Sequence, residues 1–232
     1  MPFVLTGTIV PNAVPTAHGN AQRRHDEYVQ AIRHYLDFGP VYFIENSGYP
    51  VLGEPFFVDT PGLTTFAYPR SASTARGKGY QEFEMLDDFV RDRLREDAFV
   101  KVTGRYVYKN IGALTAWMRK RLPESGIVID MKRRERQAIV GLFAVSKAFY
   151  VRHLQGAYRD MDDSARFWAE YVLYRRIRQA GTAVFLQPAP VLRAVTGSMG
   201  IAVDMRDDGI RQGLRTLKRR LFWLVGMREL LF

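Results

Sequence analysis

Two short stretches of the sequence place basic side chains in unusual settings. One is a glycine-rich turn, and the other is a predicted strand. In ARGKGYQEFE, Gly77 and Gly79 flank Lys78 directly ahead of an amphipathic stretch that predicts a helix. Glycines let a backbone approach a ligand closely, and a helix N-terminus offers free amides and a positive dipole end to an anion. The stretch therefore predicts a phosphate-binding turn. An ordinary loop before a helix is the alternative, because short glycine motifs recur by chance.

The second stretch, FVKVTGRYVYKN, has the composition of a strand but carries Lys101 and Arg105. Arginine is suited to bidentate contacts with phosphate, so the two cations indicate a neighbouring anion. The alternative is an edge strand whose polar face meets water, because Lys101, Thr103 and Arg105 alternate along it.

Polar residues also follow two other predicted strands, FVLTGTIV and VYFIENSGYP. They are Thr6, Gly7 and Thr8 after the first strand and Glu45, Asn46 and Ser47 after the second. Ligands of open α/β sheets bind beyond the carboxyl ends of the strands. Together with the two basic stretches, these ends predict a crevice that suits a nucleotide diphosphate.

The elements that must position these residues alternate between strand and helix. Helices are predicted for HDEYVQAIRHYLDFG, YQEFEMLDDFVRDRLRE, IGALTAWMRKRL and DSARFWAEYVLYRRIRQAG, and later strands for GIVIDM, IVGLFAV and AVFLQP. Residues 54–79 are rich in proline, glycine, serine and threonine and predict a loop. We expect one α/β domain over residues 1–205 with a mostly parallel sheet, and a basic helical extension over residues 206–232.

The composition limits the classes of protein that the chain can belong to. The 232 residues are 47% hydrophobic and include no cysteine, which excludes disulfide scaffolds and thiolate metal sites. The four histidines lack the spacing of a metal motif. A net charge of +10 indicates a polyanionic partner. MPFVLTGTIV does not read as a signal peptide, and no apolar run is long enough to cross a bilayer.

Seven features in a fixed order carry a resemblance to a known family. They are GTIVP, the YVQAIRHYL stretch, ENSGYP, GKGYQE, FVKVTGRY with its later KN, a late helix with Glu170, and TGSMG. Spanning about residues 5–203, they resemble small bacterial glycosyltransferases of lipopolysaccharide O-antigen and capsule synthesis, some of which are similar to galactofuranosyltransferase domains. The resemblance implies a GT-A-like, Rossmann-type domain that transfers a sugar from a nucleotide-sugar donor.

The resemblance also implies where the donor lies. Thr6, Gly7, Glu45, Asn46 and Ser47 would border the nucleoside; Lys78, Gly79, Lys101, Thr103 and Arg105 would border the diphosphate and donor sugar; and Thr196, Gly197 and Ser198 would close over the donor.

The sequence departs from general GT-A practice at the expected metal site. Many GT-A enzymes hold a divalent metal with an Asp-x-Asp motif at the end of the strand that corresponds to FVKVTGRY. This chain has Lys101 and Arg105 there. Two cations can neutralise a leaving diphosphate as a metal would, so we expect no metal cofactor. The paired acids of RDDG and DMDD read as loops beside helices.

An inverting transfer needs a carboxylate that accepts the proton of the acceptor hydroxyl. Glu170 lies in the apolar, aromatic stretch RFWAEYVLY, where an unpaired carboxylate is costly unless it is functional. Glu82 and Asp130 are the rival candidates. The alternative for Glu170 is a surface position paired with Arg166 or Tyr174 one turn away.

The C-terminal stretch RQGLRTLKRRLFWLVGMR has six basic residues and no acidic one. Its apolar helical face consists of Leu214, Leu217, Leu221, Leu224 and Val225. This pattern is typical of a helix that lies on an anionic membrane surface. A terminal helix docked on the core of its own domain is the alternative.

These observations predict a glycosyltransferase with a nucleotide-sugar donor and a glycan acceptor on the inner face of the cytoplasmic membrane. The basic helix favours an acceptor that is lipid-linked. Two other classes stay open. The charge of +10 and 13% aromatic residues allow a nucleic-acid-binding module, although no signature such as RGFGFV is present, so nucleic acid is not the expected partner. A non-catalytic subunit of a polysaccharide synthase is the third.

Overall fold

In a computed structural model of the chain, residues 1–11, 19–195, 202–204 and 209–227 are described. The strands are β1 (Phe3–Gly7), β2 (Val41–Glu45), β3 (Leu63–Ala67), β4 (Ala98–Thr103), β5 (Val107–Tyr108), β6 (Ile127–Lys132), β7 (Gln137–Ser146), β8 (Leu192–Val195) and β9 (Ala202–Asp204). The helices are α1 (Ala21–Leu36), α2 (Pro55–Asp59), α3 (Lys78–Asp92), α4 (Ile111–Ser125), α5 (Lys147–Phe149), α6 (Ala169–Ala180) and α7 (Gly209–Leu224).

The main sheet has the strand order β3-β2-β1-β4-β7-β6. The strands β3, β2, β1 and β4 are parallel to their neighbours, and β7 is antiparallel to both β4 and β6. The predicted α/β fold with a mostly parallel central sheet is therefore confirmed. The small strands β5, β8 and β9 form a second sheet.

Helices cover both faces of the main sheet, as buried parallel strands require. On one face, residues of α3 and α6 such as Phe89 and Leu173 form a core cluster with Val4 of β1. On the other face, residues of α1 and α4 such as Tyr35 and Met118 pack with alternate strand residues. The sheet thus separates two cores, and its carboxyl edge stays open between the helix ends.

Several predicted elements have different bounds. Residues 54–79 are not all loop, because they include α2 and the edge strand β3. The predicted strand FVKVTGRYVYK is divided: β4 ends at Thr103, and a turn leads to β5 in the second sheet. The AVFLQP segment makes only an isolated bridge, between Val184 and Val128. No helix in the described ranges is both long and apolar enough to cross a membrane.

Candidate functional site

A cavity of about 730 Å³ lies at the carboxyl ends of β1 and β4, next to the N-termini of α3 and α6. Thr6, Gly7, Thr8 and Thr103 of the strand ends contribute to its lining. Its volume lies within the range of about 300–1,000 Å³ that ligand pockets occupy. The position confirms the expectation that the polar strand ends meet at one edge of the sheet, at least for β1 and β4.

The structure shows which group packs against the glycine-rich turn before α3. Gly77 has φ +97°, and a Cβ atom there would lie 2.1 Å from Oδ2 of Asp163. The same carboxylate oxygen accepts a hydrogen bond of 2.9 Å from the backbone amide of Lys78. Asp163 therefore takes the position at the helix N-terminus that the sequence prediction assigned to a phosphate. Gly79 permits close packing on α6, since its Cβ would lie 3.1 Å from that of Ala169.

Among the residues that the structure describes, three basic side chains line the cavity: Arg24, Lys78 and Arg105. Burial lowers the pKa of Lys78, and the positive charges of Arg24 and Arg105 lower it further, while Asp163 opposes them. The three cations are therefore close enough to interact electrostatically. Arg105 Nη1 donates to Glu27 Oε2 at 2.6 Å, which orients the guanidinium at the cavity wall.

Arg24 was missed by the sequence prediction, although a signal was present. It lies one turn before Tyr28 on the buried face of α1, where its Nε donates to the carbonyl of Thr8 at 2.9 Å. An arginine on the apolar stripe of a helix is costly unless it is paired or functional.

Lys101 does not take the place that either sequence interpretation gave it. The side chain is wholly buried and is not part of the cavity lining. Its Nζ lies 2.6 Å from Glu82 Oε1 and donates to Val140 O at 2.9 Å. Lys101 is therefore paired with Glu82 inside the protein. It does not line the cavity, and it does not face water as an edge-strand residue would.

The described part of the cavity lining also includes three acidic side chains, Glu82, Asp163 and Glu170. Glu82 Oε1 also accepts a hydrogen bond of 2.5 Å from Thr6 Oγ1. Asp163 caps α3. Glu82 and Asp163 are thus both engaged by neighbouring groups.

Glu170 differs from these two carboxylates. It lies in the first turn of α6, and no ion pair joins it to Arg166 or to any other described residue. Burial raises its pKa most, a hydrogen bond from its own backbone amide opposes this, the negative charges of Glu82 and Asp163 raise the pKa further, and Lys101 lowers it slightly. A carboxylate that holds its proton more strongly than usual at a cavity wall has the properties of a general base or acid.

Asp130 is not a member of this site, which corrects the expectation that it borders the same crevice. It is buried, it does not line the cavity, and both of its oxygens bind Arg219 of α7, at 2.8 Å and 2.7 Å. Its Oδ1 also accepts from the backbone amide of Leu186. A carboxylate saturated in this way has no oxygen left for a substrate.

Glu45, the last residue of β2, and the two residues that follow it support the site and do not line it. Glu45 Oε1 accepts hydrogen bonds of 3.0 Å from the amides of Ile9 and Ser47. Asn46 Oδ1 accepts one of 2.7 Å from Thr8 Oγ1. All three residues are buried, and burial raises the pKa of Glu45. They hold the loop after β1 in place, which corrects the prediction that they border the nucleoside directly.

Aromatic side chains at the mouth of the cavity were also missed. Trp168, the residue before α6, lines the cavity, is 38% exposed and stacks on Tyr171. The neighbouring Phe167 is 55% exposed. The sequence prediction placed both in a helix that began at Asp163. A turn closed by backbone hydrogen bonds between Asp162 and Phe167 delays the helix to Ala169.

The residues at the end of β4 do not fit the divalent metal that GT-A folds often hold there. Thr103 ends the strand, Gly104 and Arg105 follow it, and none of the three is a carboxylate. In the part of the chain that the structure describes, no group of three or more histidine or acidic side chains is arranged to hold a metal. Thr196, Gly197 and Ser198, predicted to close over the donor, lie outside the described residues.

No protein-family model matches the chain, and no curated protein sequence matches it. Solved structures resemble its fold. A protein of Bacillus anthracis described as a glucose-1-phosphate thymidylyltransferase, in complex with a sucrose, superposes with TM-score 0.52 at 12% identity, over 94% of each chain. The galactosyltransferase LgtC, in complex with donor and acceptor sugar analogues, gives TM-score 0.51 at 5% identity, over 80% of this chain and 73% of that one.

The glycosyltransferase GlyE of Streptococcus pneumoniae TIGR4 gives TM-score 0.52 at 7% identity, over 99% of this chain and 64% of that one. Identities this low show a shared fold and leave the activity to be argued from the site. The protein has a GT-A fold.

Proposed function

We propose that this protein is a glycosyltransferase that moves a sugar from a nucleotide-sugar donor to a glycan acceptor. The observation that carries the proposal is that one cavity is lined both by three cations, Arg24, Lys78 and Arg105, and by the carboxylate of Glu170. The fold shared with LgtC and GlyE supports the same class of reaction.

The three cations of the cavity lining suit the diphosphate of the donor. A nucleoside diphosphate leaves with added negative charge when the bond between the sugar and its phosphate oxygen breaks. Fixed cations stabilise that charge, and burial strengthens the effect. Arg105 supplies this charge just beyond β4 and Lys78 supplies it at the start of α3. Because the residues at the end of β4 do not fit a metal, we propose that transfer is metal-independent.

Glu170 is the proposed base. The acceptor hydroxyl oxygen attacks the anomeric carbon, its proton passes to the Glu170 carboxylate, and the nucleoside diphosphate departs toward the cations. Glu82 is less suited because Lys101 and Thr6 already bind its Oε1. A raised pKa makes Glu170 a stronger proton acceptor, provided that it is ionised at the working pH.

The acceptor is proposed to be a sugar that packs on Trp168. An exposed indole at a cavity mouth offers an apolar face to the carbon-bound hydrogens of a sugar ring, and Trp168 precedes Glu170 by two residues. The resemblance to O-antigen and capsule enzymes favours a lipid-linked glycan in surface polysaccharide synthesis.

A ligand screen with chelation tests the proposal. Sugar nucleotides of UDP, GDP, CMP and dTDP are added in excess EDTA, and both melting temperature and release of the free nucleotide are measured. We expect one nucleotide class to stabilise the protein and its sugar nucleotide to be slowly hydrolysed. Turnover that requires Mg²⁺ or Mn²⁺ would contradict metal independence.

The same screen separates the other classes. Pyrophosphate release from a nucleoside triphosphate and a sugar 1-phosphate would instead assign a nucleotidylyltransferase, the activity named for the Bacillus anthracis structure. Stabilisation by an oligonucleotide alone would assign a nucleic-acid-binding module. Donor binding without hydrolysis or transfer would favour a non-catalytic subunit.

A further inference from the structure

Helix α7 is docked on the domain through its polar face. Arg219 is 3% exposed and forms the bidentate ion pair with Asp130, and its Nη1 also donates to the carbonyl of Leu186 at 2.7 Å. One turn away, Trp223 contacts the edge of Trp117 with ring centroids 5.5 Å apart. Trp223 also packs on Phe185, and hydrogen bonds join the helix to Gln187 and Ala189. The helix is therefore held by a buried ion pair, aromatic contacts and hydrogen bonds.

The aliphatic side chains of α7 and of the residue after it face outward. Their exposed fractions range from 52% for Leu217 to 82% for Ile210. The exposed set, which we call the leucine stripe, is Ile210, Leu214, Leu217, Leu221, Leu224 and Val225. An ordinary surface helix buries its apolar stripe and exposes its polar face. Here the arrangement is reversed, and an exposed apolar face of this size marks an interaction surface.

Basic side chains flank the leucine stripe on both sides. At 100° per residue, Arg211 and Lys218 project along one border and Arg220 along the other, and all three are exposed. Residues 209–227 include no aspartate or glutamate. An apolar stripe between two rows of cations is the pattern of a helix that lies in the headgroup region of an anionic bilayer.

We infer that α7 docks the protein on an anionic lipid surface, with the leucine stripe inserted among the acyl chains and the Asp130–Arg219 pair holding the domain to the helix. A second copy of the chain is the other occupant that the spacing of the stripe allows. Pairing two stripes would place the cations that flank each stripe beside those of its partner, and like charges at these positions oppose association. Anionic headgroups complement the same cations.

The docked helix also contacts a segment that leads to the cavity lining. Ala189 donates its amide to Thr216 of α7, and three residues later Leu192 lines the cavity. A bilayer beneath α7 would therefore lie near the cavity. The position of the bilayer near the cavity would favour a lipid-linked acceptor, and this step rests on the proposed function. The docking of α7 on lipid does not depend on the proposed function.

Vesicle co-sedimentation of the full chain tests the inference. We expect binding to vesicles of phosphatidylcholine with 30% phosphatidylglycerol, weaker binding to phosphatidylcholine alone, and release from the anionic vesicles at high salt. Replacement of Leu214, Leu217 and Leu221 together by serine should lower the partition coefficient at least about tenfold, because three exposed leucines lose the apolar area that they would bury in the bilayer.

A matched control replaces three apolar residues that are similarly exposed elsewhere. Leu52, Val58 and Val151 are 48–55% exposed, and their serine variant should bind vesicles as the wild type does. Equal binding by both triple variants, or no binding by the wild type, would overturn the inference. A dimer in sedimentation equilibrium that only the α7 variant dissociates would assign the stripe to a second copy instead. Glu170→Gln should bind vesicles normally, so failure of the catalytic proposal stays distinguishable.

Discussion

Two buried ion pairs of this molecule use the same chemistry for different purposes. Lys101 and Glu82 lie 2.6 Å apart beneath the cavity, and Arg219 and Asp130 lie 2.7 Å apart beneath α7. In the first pair the lysine is wholly buried while 23% of the glutamate side chain is exposed; in the second pair the exposed fractions are 4% and 6%. The carboxylate of the first pair is thus accessible from the cavity, and we call this pair the open pair. Both side chains of the second pair are inaccessible, and we call it the closed pair.

The difference shows how a buried acid can be interpreted. Removing one member of a buried pair leaves an uncompensated charge, so both pairs constrain the fold. Only the open pair presents a carboxylate to a ligand, and only the closed pair joins two elements that are distant in the sequence. Glu170, which lacks a basic partner among the described residues, is a third case, and its unpaired state is what recommends it as a base.

The largest effect is expected at Glu170. Glu170→Gln keeps the size of the side chain but cannot accept a proton, so turnover should fall by about 10²- to 10⁴-fold. Donor binding, measured by calorimetry, should stay close to wild type. Glu82→Gln is the control that sharpens the comparison: it leaves Lys101 without its counter-charge and should lower stability. Wild-type turnover by Glu170→Gln would remove it as the base.

The closed pair should carry stability and no catalysis. Asp130→Asn leaves Arg219 buried without a counter-charge, which should lower the free energy of unfolding by about 3–5 kcal/mol in urea titrations. Turnover per folded molecule should stay near wild type, in contrast to Glu170→Gln.

Two further variants isolate the pair. Arg219→Met combined with Asp130→Asn should recover much of the stability, since no unpaired charge remains. Arg220→Met, one residue away on the exposed side of α7, should be close to neutral. If Asp130→Asn were fully stable but inactive, the division between the two pairs would be wrong.

The two pairs also explain what the sequence could and could not predict. Strand and helix periods are local, so the parallel sheet and its polar carboxyl edge follow from them. Asp130 and Arg219 are 89 residues apart, and no local pattern connects them. Lys101 looked exposed because alternation alone does not show which face of a strand a crossing helix covers.

The residues missed at the cavity have similar physical causes. Asp163 and Trp168 lie in a turn held by backbone hydrogen bonds, where the residue types alone favoured an earlier helix start. Arg24 lies in a helix whose relation to β1 is set by tertiary packing. Glu170, by contrast, stood out because its apolar neighbours made an acid there unusual.

Arg105, which lines the cavity, should contribute to the binding of a phosphate-containing ligand. Arg105→Ala removes a charged donor, so the binding free energy of a nucleoside diphosphate should weaken by about 1.5–3 kcal/mol. The parent nucleoside, which has no phosphate, should bind as before. Arg134, exposed in the turn after β6, supplies the control Arg134→Ala. An equal loss for nucleotide and nucleoside would indicate a folding defect rather than a lost phosphate contact.

The smallest effect concerns how the ionisation of Glu170 changes the stability of the protein with pH. Its pKa is raised in the folded protein, mainly by burial, so the folded state holds this proton more tightly than the unfolded chain, where a glutamate titrates near pH 4.3. Ionising Glu170 therefore destabilises the fold as pH rises from that value through the raised pKa. Glu170→Gln does not titrate. Its melting temperature relative to wild type should be constant below this window, rise through it, and stay higher at neutral pH. Glu135→Gln, on an exposed turn, should give a flat difference. A flat profile for Glu170→Gln as well would mean that a cation compensates this carboxylate, which would place Glu170 in the same class as Glu82.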